Sequence, residues 1–92
     1  MLTAIVFVKA DVAKIPEVAQ QIADLDGVTE VYSVTGRIDL IAIVRVRGHD
    51  EVAAVISDQL NKVPGVIDTE THIAFRAYSS HDLEQAFSLG SA

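Results

Sequence analysis

The sequence of 92 residues contains no cysteine and no tryptophan, only two prolines, and five aromatic residues in all. Without cysteine there is neither a disulfide framework nor a thiolate metal site, and small secreted domains of this size normally rely on such staples. A reducing cytoplasm is the expected setting. The aromatic residues are Phe7, Tyr32, Phe75, Tyr78 and Phe87, yet half of the sequence is apolar. The core must therefore be assembled from Val, Ile, Leu and Ala, which is the composition of a folded domain rather than a disordered chain.

Positive charge is scarce as well: seven Lys and Arg stand against thirteen Asp and Glu, for a formal charge of −6. Recognition of a nucleic-acid backbone needs a surplus of cations to displace phosphate counterions, so direct binding to DNA or RNA is not expected. Long apolar runs are also missing. Residues 2–8 are apolar, but they lack a basic leader and a cleavage site and fall far short of the roughly 20 residues that span a bilayer. They read as a buried strand, with no role at a membrane. A chain of this length has room for one hydrophobic core.

What is present is a regular alternation of patterns. Residues 2–9 are rich in Ile, Val and Phe without helical period, the mark of a buried strand. From Ile15 the apolar positions become Ile15, Val18, Ala19, Ile22 and Leu25, a helical stripe with Pro16 in its first turn and Asp26-Gly27 as its stop. Residues 28–35 and 38–47 read as two antiparallel strands joined by a tight turn at Gly36-Arg37. Gly48-His49-Asp50 opens a second helix, with Asp50 as the expected N-cap and Val52, Val55, Ile56, Leu60 and Val63 as its buried stripe, closed by Pro64-Gly65. Residues 66–77 alternate again as a last strand, and a short tail helix is expected around residues 81–87.

The order strand, helix, strand, strand, helix, strand is a doubled β-α-β unit. Right-handed crossovers put both helices on one face of an antiparallel sheet, giving an α+β, ferredoxin-like β-α-β-β-α-β sandwich. An internal echo supports the doubling: Leu25-Asp26-Gly27-Val28 and Val63-Pro64-Gly65-Val66 both close a helical stripe and open a strand. Two helices cover one face only, yet Ile5, Phe7, Ile41 and Ile43 fall on the other. Monomers rarely expose such a contiguous patch, and a second copy around a two-fold axis would bury it on both subunits. A homodimer through the sheet, of the dimeric α/β barrel type, is expected. The alternative is a tail helix folded over the open face, although Leu83 and Phe87 offer it little area.

No constellation for catalysis is visible, whether a nucleophile beside a base, paired carboxylates or a ligand cluster. His49, His72 and His81 lack metal-binding spacing, and neither a cofactor nor a metal is expected. The helical acids Glu17, Asp24, Glu51, Asp58 and Glu84 suit solvated faces. The run Gly36-Arg37-Ile38-Asp39 is different, because it places flexible backbone, a cation and an anion within one turn. Loop amides and the Arg37 guanidinium can hold a carboxylate while Asp39 accepts from an ammonium group, the grip a zwitterion requires. The same residues also suit an ordinary hairpin turn.

The run Val31-Tyr32-Ser33-Val34-Thr35-Gly36-Arg37-Ile38-Asp39-Leu40 resembles the V-x-x-V-x-G-x-Y-D segment of the Lrp/AsnC effector domain, also called the RAM domain. The resemblance extends through Leu25-Asp26-Gly27-Val28, Pro64-Gly65-Val66 and Thr69-Glu70-Thr71. It implies the double β-α-β fold, dimers paired through their sheets and often joined into rings, and an amino acid bound between dimers. By position, Gly36 and Asp39 match the family's ligand loop, with Thr35 and Leu40 flanking them, and Thr69 and Thr71 match the fourth-strand segment beside the pocket. Arg37 and Ile38 stand where an acidic residue and an aromatic are common. The family's full-length members carry a helix-turn-helix ahead of this domain, whereas residue 2 already opens the first strand, so the chain looks like the stand-alone version. The expected layout is a ligand-binding domain over residues 1–78 and a tail over 79–92.

The function implied is an amino-acid-sensing regulatory domain, not an enzyme, that modulates transcription through a partner such as a DNA-binding relative. Three alternatives share the scaffold. An ACT-like allosteric module would want a glycine in the loop 9–13, which has none. A dimeric ferredoxin-like monooxygenase would want an aromatic-lined cavity with polar groups. A purely structural subunit would modulate a relative without any ligand.

Overall fold

A computed structural model describes residues 1–80. The strands are β1 (Leu2–Ala10), β2 (Val28–Ser33), β3 (Leu40–Val46) and β4 (Val66–Ala74), and the helices are α1 (Ile15–Ala23) and α2 (His49–Ile56). The sheet has the order β2-β3-β1-β4 with every neighbour antiparallel, which is the ferredoxin-like β-α-β-β-α-β arrangement. No helix among the described residues is long and apolar enough to cross a membrane.

Alternation along the two central strands builds the core. Ala4, Val6 and Val8 of β1 lie opposite Val44, Ala42 and Leu40 of β3, and all six are fully buried. Val18 and Ile22 of α1 pack with Val52, Val55 and Ile56 of α2 into the same cluster, so the helical stripes meet the small and branched residues of the sheet. Pro16 and Glu17 occupy the first turn of α1, where a missing N–H costs nothing and a negative charge suits the dipole. Just ahead of it, a 3-10 turn at Val12–Lys14 is capped by Asp11, whose carboxylate accepts the Ala13 N–H at 3.0 Å.

The repeated Gly-Val junctions are structurally equivalent. The Val28 N–H donates to the Leu25 carbonyl and the Val66 N–H to the Val63 carbonyl, with Gly27 at φ 95° and Gly65 at φ 99° in the third turn position. A type II turn requires that left-handed conformation. The two glycine carbonyls then accept the Arg45 and Asp11 N–H groups at 2.8 Å each, so each half's turn is tied to the other half.

Several elements differ from the sequence expectation. The β2–β3 connection is not a two-residue turn but a loop over residues 34–39, closed by the Val34 N–H on the Asp39 carbonyl at 3.0 Å. Asp50 does not cap α2. Gly48 stands at the N-cap, and Glu51 reaches back to accept the Arg47 N–H at 3.2 Å. The helix ends at Ile56, and a 3-10 turn at Leu60–Lys62 carries Leu60 into the core. β4 stops at Ala74, three residues short of the expected Ala77, leaving Phe75 91% exposed. The tail helix expected at residues 81–87 lies outside the described residues.

The face away from the helices carries two registered rows. Tyr32, Ile41, Phe7 and Glu70 form one across β2, β3, β1 and β4, and Glu30, Ile43, Ile5 and His72 form the next. Its centre is thus four apolar side chains, all half-buried, between polar pairs on the two edge strands.

Candidate functional site

The loop 34–39 is drawn onto the end of β1 by three contacts. The Asp39 N–H donates to the Val8 carbonyl at 3.0 Å, the Asp39 carboxylate accepts the Ala10 N–H at 2.9 Å, and the Lys9 ammonium donates to the Arg37 carbonyl at 3.2 Å. Because β4 begins on the other side of β1, with Asp68 opposite Lys9 and Glu70 opposite Phe7, the loop and the start of β4 face each other across one strand.

Between them lies a cavity of about 260 Å³. Phe7 and Ile38 are its apolar surfaces, Lys9 and Arg37 its cations, Asp68 and Glu70 its anions, and Thr69 borders it. Among the described residues the Arg37 guanidinium has no hydrogen-bond or ion-pair partner. The anions are each partly engaged. Asp68 accepts the Thr69 N–H at 3.0 Å, and Glu70 meets the His72 ring at 2.6 Å. That ring also lies 5.1 Å from the Phe7 ring in a tilted arrangement, so the Glu70 carboxylate and the Phe7 ring are braced by one side chain. Such a hollow offers donors, acceptors and an apolar wall to a small zwitterion.

Of the residues singled out from the sequence, the fold brings Arg37 and Thr69 together at this cavity. Thr35 and Gly36 are exposed on the loop beside Arg37, and Gly36 has φ 113° with open space where a side chain would stand. Asp39 turns its carboxylate to Ala10. Leu40 is fully buried in the core. Thr71 pairs with Val6 and so belongs to the helix side of the sheet, while the Thr69 hydroxyl donates to Asn61 at 2.7 Å. Lys9, Asp68, Glu70 and Phe7 were not singled out. Their signal is the β1–β4 register, which sets them side by side from opposite ends of the chain.

Two larger hollows lie elsewhere and contain none of the loop residues. One of about 610 Å³ occupies the far end of the open face beside Ile5, Ile43, Tyr32 and Arg45, and one of about 370 Å³ lies beside Gly27 and α2. At the first, the Tyr32 hydroxyl contacts Glu30, and hydrogen bonding to that carboxylate raises the phenol pKa above its usual value. No group of three or more His, Asp or Glu residues among the described residues is arranged to hold a metal ion.

Residues 3–83 match the family described as Lrp/AsnC ligand binding domain. An uncharacterized HTH-type transcriptional regulator of Pyrococcus furiosus, PF1734, is 41% identical over 73 residues, which are 79% of this chain and 49% of that protein. The chain spans about half the length, or less, of the curated relatives it matches. The crystal structure of TTHA0845 from Thermus thermophilus superposes with a TM-score of 0.81 at 40% identity, covering 86% of this chain and 99% of that one. The complex of the transcriptional regulator NMB0573 with L-Met from Neisseria meningitidis has the same fold, with a TM-score of 0.76 at 19% identity over 85% of this chain and 52% of that one. The chain belongs to the Lrp/AsnC family as its ligand-binding domain, a regulatory and non-enzymatic module related to transcriptional regulators.

Proposed function

We propose that the chain senses a free amino acid in the cavity between the loop 34–39 and the start of β4, as a homodimer or ring of dimers paired through the open face of the sheet. The observation that carries this is the charge pattern of the cavity: the Arg37 guanidinium, without a partner among the described residues, lines a hollow that is also lined by Asp68 and Glu70. A guanidinium is the best planar donor to a carboxylate, and carboxylate oxygens satisfy an ammonium group. At about 260 Å³ the hollow is smaller than the roughly 300–1,000 Å³ of drug-sized pockets and suits a single amino acid. L-Met in the complex of the Neisseria regulator supports a ligand of this class.

In this arrangement Asp39 serves by holding the loop on β1, and Leu40 by anchoring β3 beside it. Thr35 and Gly36 flank Arg37, Thr69 borders the β4 side, and Thr71, on the helix face of β4, stands outside the cavity. The four apolar residues at the centre of the open face favour a two-fold partner, which would bury the same patch on both copies and stand beside the cavity. With a charge of −6 the domain does not read DNA itself, and it passes its signal through a DNA-binding relative.

Calorimetric titration of the parent and Arg37→Ala with amino acids, alongside light scattering at micromolar concentration, tests both halves. A dimer or larger mass is expected, with binding about tenfold or more weaker in the variant, the usual cost of losing a charged hydrogen-bond donor. A monomer mass contradicts the assembly, and undiminished binding by Arg37→Ala contradicts the site.

A further inference from the structure

We infer that association of two copies through the open face is coupled to proton uptake at His72, so that the assembly tightens as pH falls through the histidine range. The inference rests on the sheet-to-sheet pairing proposed above and goes on to how that pairing is regulated.

The two rows of the open face share one plan. Each has two apolar residues at its centre, a carboxylate at one end and a proton-donating group at the other: Tyr32, Ile41, Phe7, Glu70 in one and Glu30, Ile43, Ile5, His72 in the next. The carboxylates therefore stand on opposite edges, Glu30 on β2 and Glu70 on β4. A two-fold axis parallel to the strands lays β2 of one copy over β4 of the other. Tyr32 then meets the partner's Glu70, Glu30 meets the partner's His72, and the apolar pairs meet each other. An axis across the strands lays each edge over its own copy instead, gathering Glu30 with the partner's Glu30 and Glu70 with the partner's Glu70, which like-charge repulsion disfavours. The face is self-complementary about the parallel axis.

Within one copy each edge already holds a pair. The Tyr32 hydroxyl donates to Glu30, and the His72 ring meets Glu70 at 2.6 Å, these last two side chains being 54% and 69% exposed. Pairing brings the two edges together as a cluster of two carboxylates, one phenol and one imidazole, and takes water from all four. Carboxylates drawn out of water require opposite charge beside them. Arg45, which lines the hollow at this end of the face with Glu30 and Tyr32, compensates one. A neutral imidazole brings no charge to the other, and an imidazolium does. The remaining neighbours of His72 on its own sheet are uncharged: Ile5 lies opposite it on β1, with Thr3 and Phe7 to either side. Lys9 and Asp68 stand two rows away, and Arg76 lies two residues beyond the end of β4. A group that holds its proton more tightly in the pair than in the single copy strengthens association at the pH where it is protonated, and histidine changes charge between about pH 5 and 8.

The test is sedimentation equilibrium of the full chain over a dilution series at fixed ionic strength, on the parent, His72→Gln, Glu30→Gln and His49→Gln. In the parent the dimer Kd should fall about tenfold or more from about pH 8 to about pH 6, the ratio that one unit of preferential proton binding at a single group gives. His72→Gln should flatten that dependence. Glu30→Gln, which removes the carboxylate supplied from the other copy, should reduce it and tighten the dimer at the alkaline end. His49→Gln, in the first turn of α2, should leave it intact. A flat parent profile, or an undiminished slope in either His72→Gln or Glu30→Gln, overturns this inference while the assembly stands. A monomer at every pH overturns the assembly and this inference with it.

Discussion

Asp39 and Ala10 are joined by a hydrogen bond of 2.9 Å from the Ala10 N–H to the Asp39 carboxylate, at the point where the pairing of β1 with β4 slips its register. The backbone amide of the same aspartate donates to Val8, so one residue fixes the 34–39 loop to the end of β1 by both main chain and side chain. Asp39 thereby sets where Arg37 stands relative to β4.

Asp39→Ala should leave the part-buried Ala10 amide without its partner and cost about 1–3 kcal/mol, the usual penalty for an unsatisfied donor. Asp39→Asn keeps an acceptor oxygen and should cost less. Chemical denaturation of the three proteins measures the order, and an Asp39→Ala protein as stable as the parent would contradict the bracing role.

Gly36 and Gly65, two of the three glycines at left-handed φ among the described residues, lie in unlike surroundings and should respond differently to alanine. At Gly65, φ is 99° and an added Cβ would come within 2.6 Å of the Val18 side chain, so conformational strain and overpacking combine to about 2–4 kcal/mol. At Gly36, φ is 113° but nothing lies within 4 Å, so strain alone applies, about 1–2 kcal/mol. Equal losses in denaturant melts would mean that the contact with α1 is not the reason for Gly65.

These positions show how far the fold can be read from sequence. Spacing of apolar residues located all six elements, because branched residues alternating on β1 and β3 and the stripes of Val18 and Ile22 or Val52, Val55 and Ile56 have no other economical use. The ends were harder. The α2 stripe runs on to Leu60 and Val63 because a 3-10 turn keeps them on the core side after the helix has stopped, and spacing does not separate the two conformations. Thr35 and Ile38 have strand-forming composition, yet the grip of Asp39 on Ala10 opens the β2–β3 connection into a loop.

The site was legible only in part for a related reason. Arg37 stood out beside a glycine and an aspartate, and Thr69 came through family resemblance. Lys9, Phe7, Asp68 and Glu70 carry no local signature and become neighbours through the antiparallel register of β1 and β4 alone. Pairwise register between strands about 60 residues apart is not written in either strand by itself.

Ile43→Asp should disrupt assembly without unfolding the chain. Ile43 sits at the centre of the open face between Glu30 and Ile5, half-buried in the single chain, so a carboxylate there is tolerated by one copy and repelled by an identical partner across a two-fold axis. Sedimentation or light scattering should report a monomer with a retained circular-dichroism spectrum. An unchanged mass would place the interface elsewhere.

Tyr32 should ionise above the usual tyrosine range near 10, because hydrogen bonding to the Glu30 carboxylate, and repulsion by its charge, favour the neutral phenol. A pKa raised in the folded state means that the contact stabilises the fold below the unfolded value and that this contribution is lost as pH rises through the folded one. Ultraviolet titration should find the phenol late to ionise, and Glu30→Gln should bring it down. A Tyr32 signal indifferent to Glu30→Gln would contradict the assignment.

The most direct measurement is a thermal-shift screen of the parent protein against the twenty amino acids. A ligand that binds only the folded state at about a hundredfold excess over its Kd adds roughly 2.7 kcal/mol, which in a domain this small raises Tm by on the order of ten degrees. The account predicts such a rise for at least one amino acid in the parent and its loss in Arg37→Ala. A melt that no amino acid moves, at concentrations up to tens of millimolar, would contradict it.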